Sequence, residues 1–195
     1  AEYLRCKKMF FDNLPSTAFA LTNLDDRNGK VMLQNTKANK YTYSTTTLAD
    51  FKCNIIELGF EGMQLKINNI EAFLNFTGRF NAANLTAVFG AAYLLQVKPQ
   101  DILITLSALA PVTGRFQKVS SADGKNAIID YAHTPDALQK VFDSVRGTAK
   151  RIISVHGGAG RRDESTRSER GEILGKESDV VIITEDDSRD EDPAK

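Results

Sequence analysis

The feature that most constrains the fold is a regular alternation of apolar strands and amphipathic helices in the second half of the chain. The runs "AIIDYA", "RIISVHG" and "DVVIITED" are separated by "TPDALQKVFDSVRG" and "SERGEILGKES". The apolar residues of the first intervening segment recur at helical spacing. Alternation of this kind is typical of βαβ units, in which helices cover a parallel sheet. We therefore predict an α/β domain with a parallel sheet, with "GRFQKV" as a further strand.

The first half of the chain has a different sequence pattern. A helical pattern in "AEYLRCKKMFF" precedes short β-rich runs, which include "YTYSTT", "FKCNIIELGF", "GMQLKIN" and "IEAFLNF". The Asn-Gly pair of "RNGKVML" predicts a tight turn, and Glu61-Gly62 predicts a hairpin. "NAANLTAVFGAAYLLQV" is helical, and Pro99 opens a second helix. We place the boundary between the two domains in the linker that begins near Pro111.

Composition narrows the possible partners. The 195 residues include 25 basic and 25 acidic residues, so no basic field marks a surface for nucleic acid or anionic lipid. Two cysteines are too few for a disulfide framework and favour a reducing cytoplasm. No apolar run approaches the length of a membrane span, and no leader pattern opens the chain. Because the chain starts within a helical pattern, we expect it to be a segment of a longer protein.

Charged residues interrupt the end of the strand in "IIDYAHTPDAL". Thr134 suits an N-cap, Pro135 the first helical position and Asp136 the first turn, so helix construction explains these three residues. Asp130 is costly at the end of an apolar strand unless it is paired or solvated, and it could accept hydrogen bonds from a ribose. His133 suits a neutral imidazole that donates to an anion, or a residue with only local hydrogen bonds.

Two further strand ends carry polar loops. "SVHGGAGRRDESTRSERGE" is rich in glycine and arginine, and "TEDDSRDEDP" places six acidic residues around Arg189. The first could bind a carboxylate through arginine forks, and the second could hold a metal, although either could be a solvated loop. Neither G-x-G-x-x-G nor G-x-x-x-x-G-K-[ST] occurs. We expect the three junctions to leave three strands of one sheet at the same edge and to enclose one pocket.

The order of these motifs is similar to that of the Mur ligase family. "GRFNAANLTAV", "GRFQKV", "IIDYAHTPDAL", "GGAGRRDESTRSERGEI" and "VVIITEDDSRDEDP" resemble its ATP-dependent members that add the third peptide residue to UDP-N-acetylmuramoyl-L-alanyl-D-glutamate. The resemblance implies that residues 1–110 are the end of a central ATPase domain with a mixed sheet and helices. It implies that residues 111–195 are the first half of a Rossmann-like ligase domain. It further implies ATP and Mg²⁺, a UDP-muramyl dipeptide, a diamino acid and the remainder of the same protein as partners.

The resemblance also implies roles for residues at the nucleotide. Lys7 matches a lysine that becomes N-carbamylated and then offers oxygen ligands to Mg²⁺. Asn81 and Asn84 match residues at the adenine; otherwise Asn81 would be an N-cap. Arg115 matches an arginine that reaches ATP from the C-terminal domain, so Arg115 and Asp130 should face a cleft between the domains. Asp130 matches the ribose-facing position, and His133 lies at the same catalytic corner.

For the amino-acid substrate, the resemblance implies Arg162 as the residue that recognises a carboxylate. Asp186, Asp187 and Arg189 occupy the second loop, where Arg189 favours meso-diaminopimelate over L-lysine because lysine has no second carboxylate. The alternatives are another ligase of the superfamily, such as a folylpolyglutamate synthase, and a non-catalytic binding module. We expect residues 1–195 alone to neither hydrolyse ATP nor form a peptide bond, because they contain no phosphate-binding loop sequence.

Overall fold

The computed structural model describes residues 2–162 and 164–192, which form two compact units, Ala1–Pro111 and Val112–Lys195. In chain order, the first unit contains α1 (Glu2–Asp12), β1 (Phe19–Asn23), α2 (Gly29–Met32), β2 (Asn39–Ser44), β3 (Phe51–Leu58), β4 (Met63–Ile67), β5 (Ile70–Leu74), α3 (Arg79–Leu94) and α4 (Pro99–Ala108). The second contains β6 (Gln117–Ser120), β7 (Asn126–Ile129), α5 (Pro135–Val145), β8 (Ile153–His156), a 3₁₀ turn (Glu164–Thr166), α6 (Arg167–Glu177) and β9 (Val180–Ile183). Both units combine helices with sheets, as predicted.

The first unit is built on a five-stranded mixed sheet in the order β1-β2-β3-β4-β5. β1, β2 and β3 pair in parallel, whereas β3, β4 and β5 pair antiparallel. α3 packs on this sheet and buries Phe89, while Phe51 and Cys53 of β3 face it from the sheet side. Each fully buried large apolar side chain stabilises the unit by roughly 1.5–3 kcal/mol.

Two local predictions in the first unit have different outcomes. The tight turn predicted at Asn28-Gly29 is confirmed, because the Gly29 N–H closes it by donating to the Asp26 carbonyl at 2.9 Å, and the short helix α2 begins at Gly29. The N-cap of α3 is Gly78, with φ of 86°, and Asn81 lies within the helix. The predicted hairpin between β3 and β4 is confirmed, since the Gly59 N–H donates to the Gly62 carbonyl at 2.9 Å.

The second unit contains two separate two-stranded sheets. β6 and β7 form an antiparallel hairpin, and β8 and β9 pair in parallel. The expectation that three strand ends leave one sheet is therefore wrong for the described residues, because β7 pairs with β6 and not with β8 or β9. The β8 and β9 ends do share one edge, as the βαβ pattern predicted.

A small core joins the second unit's helices to the parallel strands. Leu138 and Phe142 of α5 and Leu174 of α6 are buried together, with Ile152 and Val181 packed beside them. Thr134 caps α5 by accepting a hydrogen bond from the Ala137 N–H, and Pro135 takes the first helical position, as predicted. Within residues 2–162 and 164–192, no helix is long and apolar enough to span a bilayer.

Candidate functional site

The carboxyl ends of β8 and β9 open into a groove of about 600 Å³. Both strand ends lie at one edge because the strands are parallel and α6 connects them, and ligands of parallel α/β sheets bind at such edges. The groove is lined by the loop that follows β8 (the β8 loop), by α6 and by the loop that follows β9 (the β9 loop). The lining residues are His156, Gly157, Gly158, Gly160, Arg167, Arg170, Gly171, Leu174, Ile183, Thr184, Glu185, Asp186, Ser188, Asp190, Glu191 and Asp192. The sequence predicted this convergence of two of its three polar junctions.

Two glycines allow the β8 and β9 loops to touch. A Cβ at Gly160 would lie 2.1 Å from the Ser188 carbonyl oxygen, and one at Gly157 would lie 2.7 Å from the Asp186 Cβ. The Gly160 N–H donates to the Asp187 carbonyl at 2.8 Å. Any side chain at these two glycines would force the loops apart, so glycine sets the width of the groove.

Charged side chains hold the same two loops together. Arg161 pairs with Asp190, and its backbone N–H donates to Glu191 Oε1 at 2.5 Å. Glu191 Oε2 also accepts from the Arg167 guanidinium at 2.7 Å. The hydrogen bonds from Arg161 and Arg167 lower the pKa of Glu191 below its ordinary value. Part of the acidic loop therefore serves as internal bracing.

The four residues expected to bind the amino acid are not equally placed. Asp186 lines the groove, whereas Arg162, Asp187 and Arg189 do not. Arg162 and Asp187 are exposed, and Arg189 forms an ion pair in which its Nε lies 3.4 Å from Asp187 Oδ2. Arg189 also adopts a left-handed backbone, with φ of 54°, which is uncommon outside glycine. Of these four residues, only Asp186 therefore contributes to the lining of the groove.

Sequence reasoning missed Arg170 and His156. Arg170 is 6% exposed, and its Nε has no hydrogen-bond partner; His156 Nε2 is likewise buried without one. Burial and the nearby Arg170 charge lower the pKa of His156, while Asp186 opposes the shift. The sequence contained one indication that Arg170 is buried. Arg170 lies four residues before the buried Leu174, so the two residues share one face of α6.

Asp130 organises the corner after β7. Its Oδ2 accepts from the Phe116 N–H at 2.7 Å, and its Oδ1 accepts from the Ala132 N–H at 2.8 Å. The carboxylate therefore joins the start of the hairpin to its end. These bonds give Asp130 a structural role that explains a carboxylate at the end of an apolar strand.

Three neighbouring side chains form a row at this corner. The Arg115 guanidinium lies 4.7 Å from the centre of the Tyr131 ring, and the Tyr131 and His133 rings meet edge to face at 5.0 Å. His133 Nδ1 lies 3.0 Å from the Tyr131 carbonyl, which can only accept, so Nδ1 carries the proton. The Nδ1–H is therefore used within this corner and is not available to an anion.

The candidate residues of the first unit lie on two helices. Lys7, on α1, is exposed, with its Nζ 4.5 Å from the Tyr3 ring centre. On α3, Asn81 donates to the Thr77 carbonyl at 2.7 Å, and Asn84 donates to Asn81 at 3.4 Å. Within the described parts of the chain, no three His, Cys, Asp or Glu side chains assemble a metal site. A Mg²⁺ ion bound by these residues would therefore need ligands other than such a cluster.

The mixed-sheet unit and the βαβ unit that follows it correspond to two domains of one family of ligases. Residues 1–92 match the Mur ligase middle domain, and residues 114–195 match the glutamate ligase domain of Mur ligases. The chain belongs to the Mur ligase family.

Individual members of the family are similar to this chain over nearly its whole length. The chain is 53% identical over 194 residues to the UDP-N-acetylmuramoyl-L-alanyl-D-glutamate–2,6-diaminopimelate ligase of Phocaeicola vulgatus. That match covers 98% of this chain and 40% of the relative, so the chain spans about two fifths of that protein's length. A solved structure of a ligase with the same name is 27% identical, with a TM-score of 0.64, over 98% of this chain and 41% of the other.

A third similarity concerns the fold alone. The MurF ligase of Thermotoga maritima, solved in complex with ADP, is 18% identical, with a TM-score of 0.68. The match covers 91% of this chain and 46% of that structure.

Proposed function

We propose that this chain is part of an ATP-dependent ligase that joins 2,6-diaminopimelate to UDP-N-acetylmuramoyl-L-alanyl-D-glutamate in peptidoglycan synthesis in the cytoplasm. The observation that carries the proposal is the 53% identity to a ligase of that name over nearly the whole chain. The groove at β8 and β9 supports it, because its buried arginine and acidic rim suit a small molecule with both a carboxylate and an ammonium group.

The proposed reaction has two steps. The γ-phosphoryl group of ATP passes to the free D-glutamate carboxylate, which gives an acyl phosphate and ADP. The substrate amine then attacks the acyl carbon, the carbon–oxygen bond to phosphate breaks, and phosphate leaves with the electron pair while the amine loses a proton. Positioning and charge neutralisation supply most of the catalysis in such reactions.

Residues of both units have roles in this proposal. Asn81 and Asn84 contact the adenine, Asp130 orients the ribose side through the loop it braces, and Arg115 neutralises phosphate charge. His133 accepts a proton through Nε2 at the catalytic corner, because its Nδ1–H is used on the Tyr131 carbonyl. Lys7, exposed on α1, is free to react with CO₂, and its carbamate would supply oxygen ligands for Mg²⁺.

The amino-acid groove accounts for the choice of substrate. Asp186 lines it and suits the ammonium group, while Arg162, Asp187 and Arg189 lie outside the lining and would contribute at its entrance. Diaminopimelate has two carboxylates, of which one would bind an arginine inside the groove and the other an arginine at its rim. L-Lysine offers only one carboxylate and should be the poorer substrate.

Turnover by the complete protein that carries this chain tests the proposal. With ATP, Mg²⁺ and UDP-N-acetylmuramoyl-L-alanyl-D-glutamate, phosphate release should depend on diaminopimelate, and mass spectrometry should detect the ligated tripeptide product. Turnover with a folate substrate and glutamate instead would favour a folylpolyglutamate synthase. Binding of nucleotide or amino acid without turnover would favour a non-catalytic module.

A further inference from the structure

A short turn ahead of β6 carries Arg115 between two residues with left-handed backbones. Gly114 has φ of 70° and Phe116 has φ of 48°. Glycine adopts this region readily, but a bulky side chain such as that of phenylalanine enters it rarely and only where its surroundings hold it there. Phe116 is 3% exposed, so the burial of its ring is one contact that holds it. The backbone on both sides of Arg115 is therefore set by contacts with the rest of the unit and not by local preference.

Hydrogen bonds fix the same backbone at Arg115 and at the residue that follows it. The Arg115 N–H donates to the Val112 carbonyl at 3.0 Å, which closes a four-residue turn with a glycine at its third position. The Phe116 N–H donates to Asp130 Oδ2 at 2.7 Å. Two consecutive N–H groups therefore point in directions that the rest of the corner dictates.

Gln117 supplies a third acceptor through its side chain. Its Oε1 accepts a hydrogen bond from the Gly114 N–H at 3.0 Å, so the side chain reaches back past Arg115 to the residue before it. The backbone of Gln117 is the first position of β6 and pairs with Ile129 of β7. Because the hairpin fixes this backbone, the side chain ties the turn to the hairpin.

The position of the turn decides where the Arg115 side chain begins. Its guanidinium carbon lies 4.7 Å from the centre of the Tyr131 ring, although Arg115 is exposed. Tyr131 is held nearby because Asp130 Oδ1 accepts from the N–H of the next residue, Ala132, at 2.8 Å. A shift of the turn would move the guanidinium off the ring and free a long side chain, whose conformational freedom is then lost each time it binds a ligand.

We propose that Gln117 is a positioning residue for Arg115, in which the side-chain oxygen holds the turn in the conformation that presents the guanidinium to the phosphates of the nucleotide. This proposal rests on the proposed function, in which Arg115 neutralises phosphate charge. Gln117 acts through Arg115 and takes no part in the chemistry. Its contribution is preorganisation, since a guanidinium that is already oriented loses less conformational entropy when the phosphates bind.

Binding of AMP-PNP, an ATP analogue that resists hydrolysis, measures this contribution in the complete protein with Mg²⁺ present and without any need for ligation. Gln117→Met has a similar length but removes the acceptor, so the Kd should rise about three- to tenfold, the range expected for one hydrogen bond. Gln117→Glu keeps an acceptor oxygen and should restore binding to within about twofold of the wild type.

Gln139→Met is the matched control, because it makes the same change on α5 and removes only a side-chain hydrogen bond to Asp143. It should bind AMP-PNP like the wild type. Equal weakening in Gln117→Met and Gln117→Glu would overturn the proposal, as would wild-type binding in Gln117→Met.

A double-mutant cycle separates positioning from a general effect on the fold. Arg115→Ala should itself weaken AMP-PNP binding, and Gln117→Met should weaken it no further in that background, because the residue that it positions is absent. Gln117→Met alone should leave the Kd for diaminopimelate within about twofold of the wild type. Equal losses of AMP-PNP binding in the two backgrounds, or a matching loss of diaminopimelate binding, would overturn the proposal.

Failure of the proposed function gives a different result. If the complete protein shows the expected cycle with AMP-PNP but ligates no amino acid, Gln117 positions Arg115 at a nucleotide site and the ligase proposal fails. If the complete protein ligates diaminopimelate while Arg115→Ala leaves AMP-PNP binding unchanged, the ligase proposal stands and the positioning role of Gln117 fails.

Discussion

The Arg115 guanidinium lies over the Tyr131 ring, with its central carbon 4.7 Å from the ring centre, next to the start of α5. Attraction between a cation and an aromatic face holds an otherwise exposed arginine in one orientation. In the proposed enzyme, this contact presents Arg115 to the phosphates of ATP before the nucleotide binds.

Replacement of Tyr131 should therefore affect the nucleotide. Tyr131→Ala should raise the KM for ATP about two- to fivefold in the complete protein, since an exposed contact of this kind contributes about 0.5–1 kcal/mol. Tyr131→Phe keeps the aromatic face and should behave like the wild type in the same steady-state assay. An equal rise of the KM for ATP in both variants would show that ATP binding depends on the hydroxyl group and not on the ring face.

Asp130 should contribute to stability apart from any contact with the ribose. Asp130→Ala leaves the Phe116 and Ala132 N–H groups without their acceptor, so the free energy of unfolding should fall by about 1–3 kcal/mol. Asp136→Ala removes the exposed pair with Lys140 and a favourable carboxylate in the first turn of α5, and should cost about 1 kcal/mol or less. Urea unfolding of the chain measures both. Equal losses in the two variants would contradict a bracing role for Asp130.

A second carboxylate, Asp25, should make the first unit sensitive to acid. Burial alone would raise its pKa, but hydrogen bonds from the Ser44 and Thr46 hydroxyls and from the N–H and hydroxyl of Thr45 together lower it well below the ordinary range. A lowered folded-state pKa contributes stability that is fully present above about pH 4 and is lost as the pH falls toward the folded-state value.

The pH dependence of Asp25→Asn measures this contribution. The variant should be clearly less stable than the wild type at pH 7, and the difference should shrink at pH 3, as followed by the urea midpoint. Glu57→Gln, at an exposed position on β3, should show no such pH-dependent difference. A constant difference between wild type and Asp25→Asn at both pH values would contradict this contribution of the Asp25 carboxylate to stability.

The glycines of the β8 loop should be intolerant of side chains. Gly160→Ala places a methyl group 2.1 Å from the Ser188 carbonyl oxygen, so the loops must separate and diaminopimelate binding should weaken at least tenfold. Gly175→Ala is the matched control, because nothing lies within 4 Å of its Cβ and alanine in a helix interior gains about 0.5–1 kcal/mol. Titration calorimetry measures the binding of diaminopimelate to both variants. Unchanged binding in Gly160→Ala would show that the groove does not depend on the close approach of Gly160 to Ser188.

Local rules predicted the parts of this fold that depend on neighbouring residues. Thr134 and Pro135 begin α5 as their chemistry requires, and the alternation of apolar strands with helices gave the β8–α6–β9 unit. Long-range partners were not predictable in this way. One of the two donors to Asp130 is the N–H of Phe116, fourteen residues earlier, and the pairing of β7 with β6 separates the end of β7 from the groove.

Burial of charge was the least predictable property of the site. "SERGE" shows no apolar pattern, so Arg170 looks like one more solvated arginine, although its spacing from Leu174 places it inside. The motif resemblance pointed instead to Arg162 and Arg189, which lie outside the groove lining. Their roles with the amino acid remain predictions, as do those of Lys7, Asn81 and Asn84 with the nucleotide and metal.

Isotope transfer tests the central claim, ligation through an acyl phosphate, most directly. The complete protein would be supplied with ATP, diaminopimelate and UDP-N-acetylmuramoyl-L-alanyl-D-glutamate labelled with ¹⁸O in the free glutamate carboxylate. Mass spectrometry should find one ¹⁸O atom in each phosphate released, in step with formation of the tripeptide product. Unlabelled phosphate, or release that does not depend on diaminopimelate, would contradict the account.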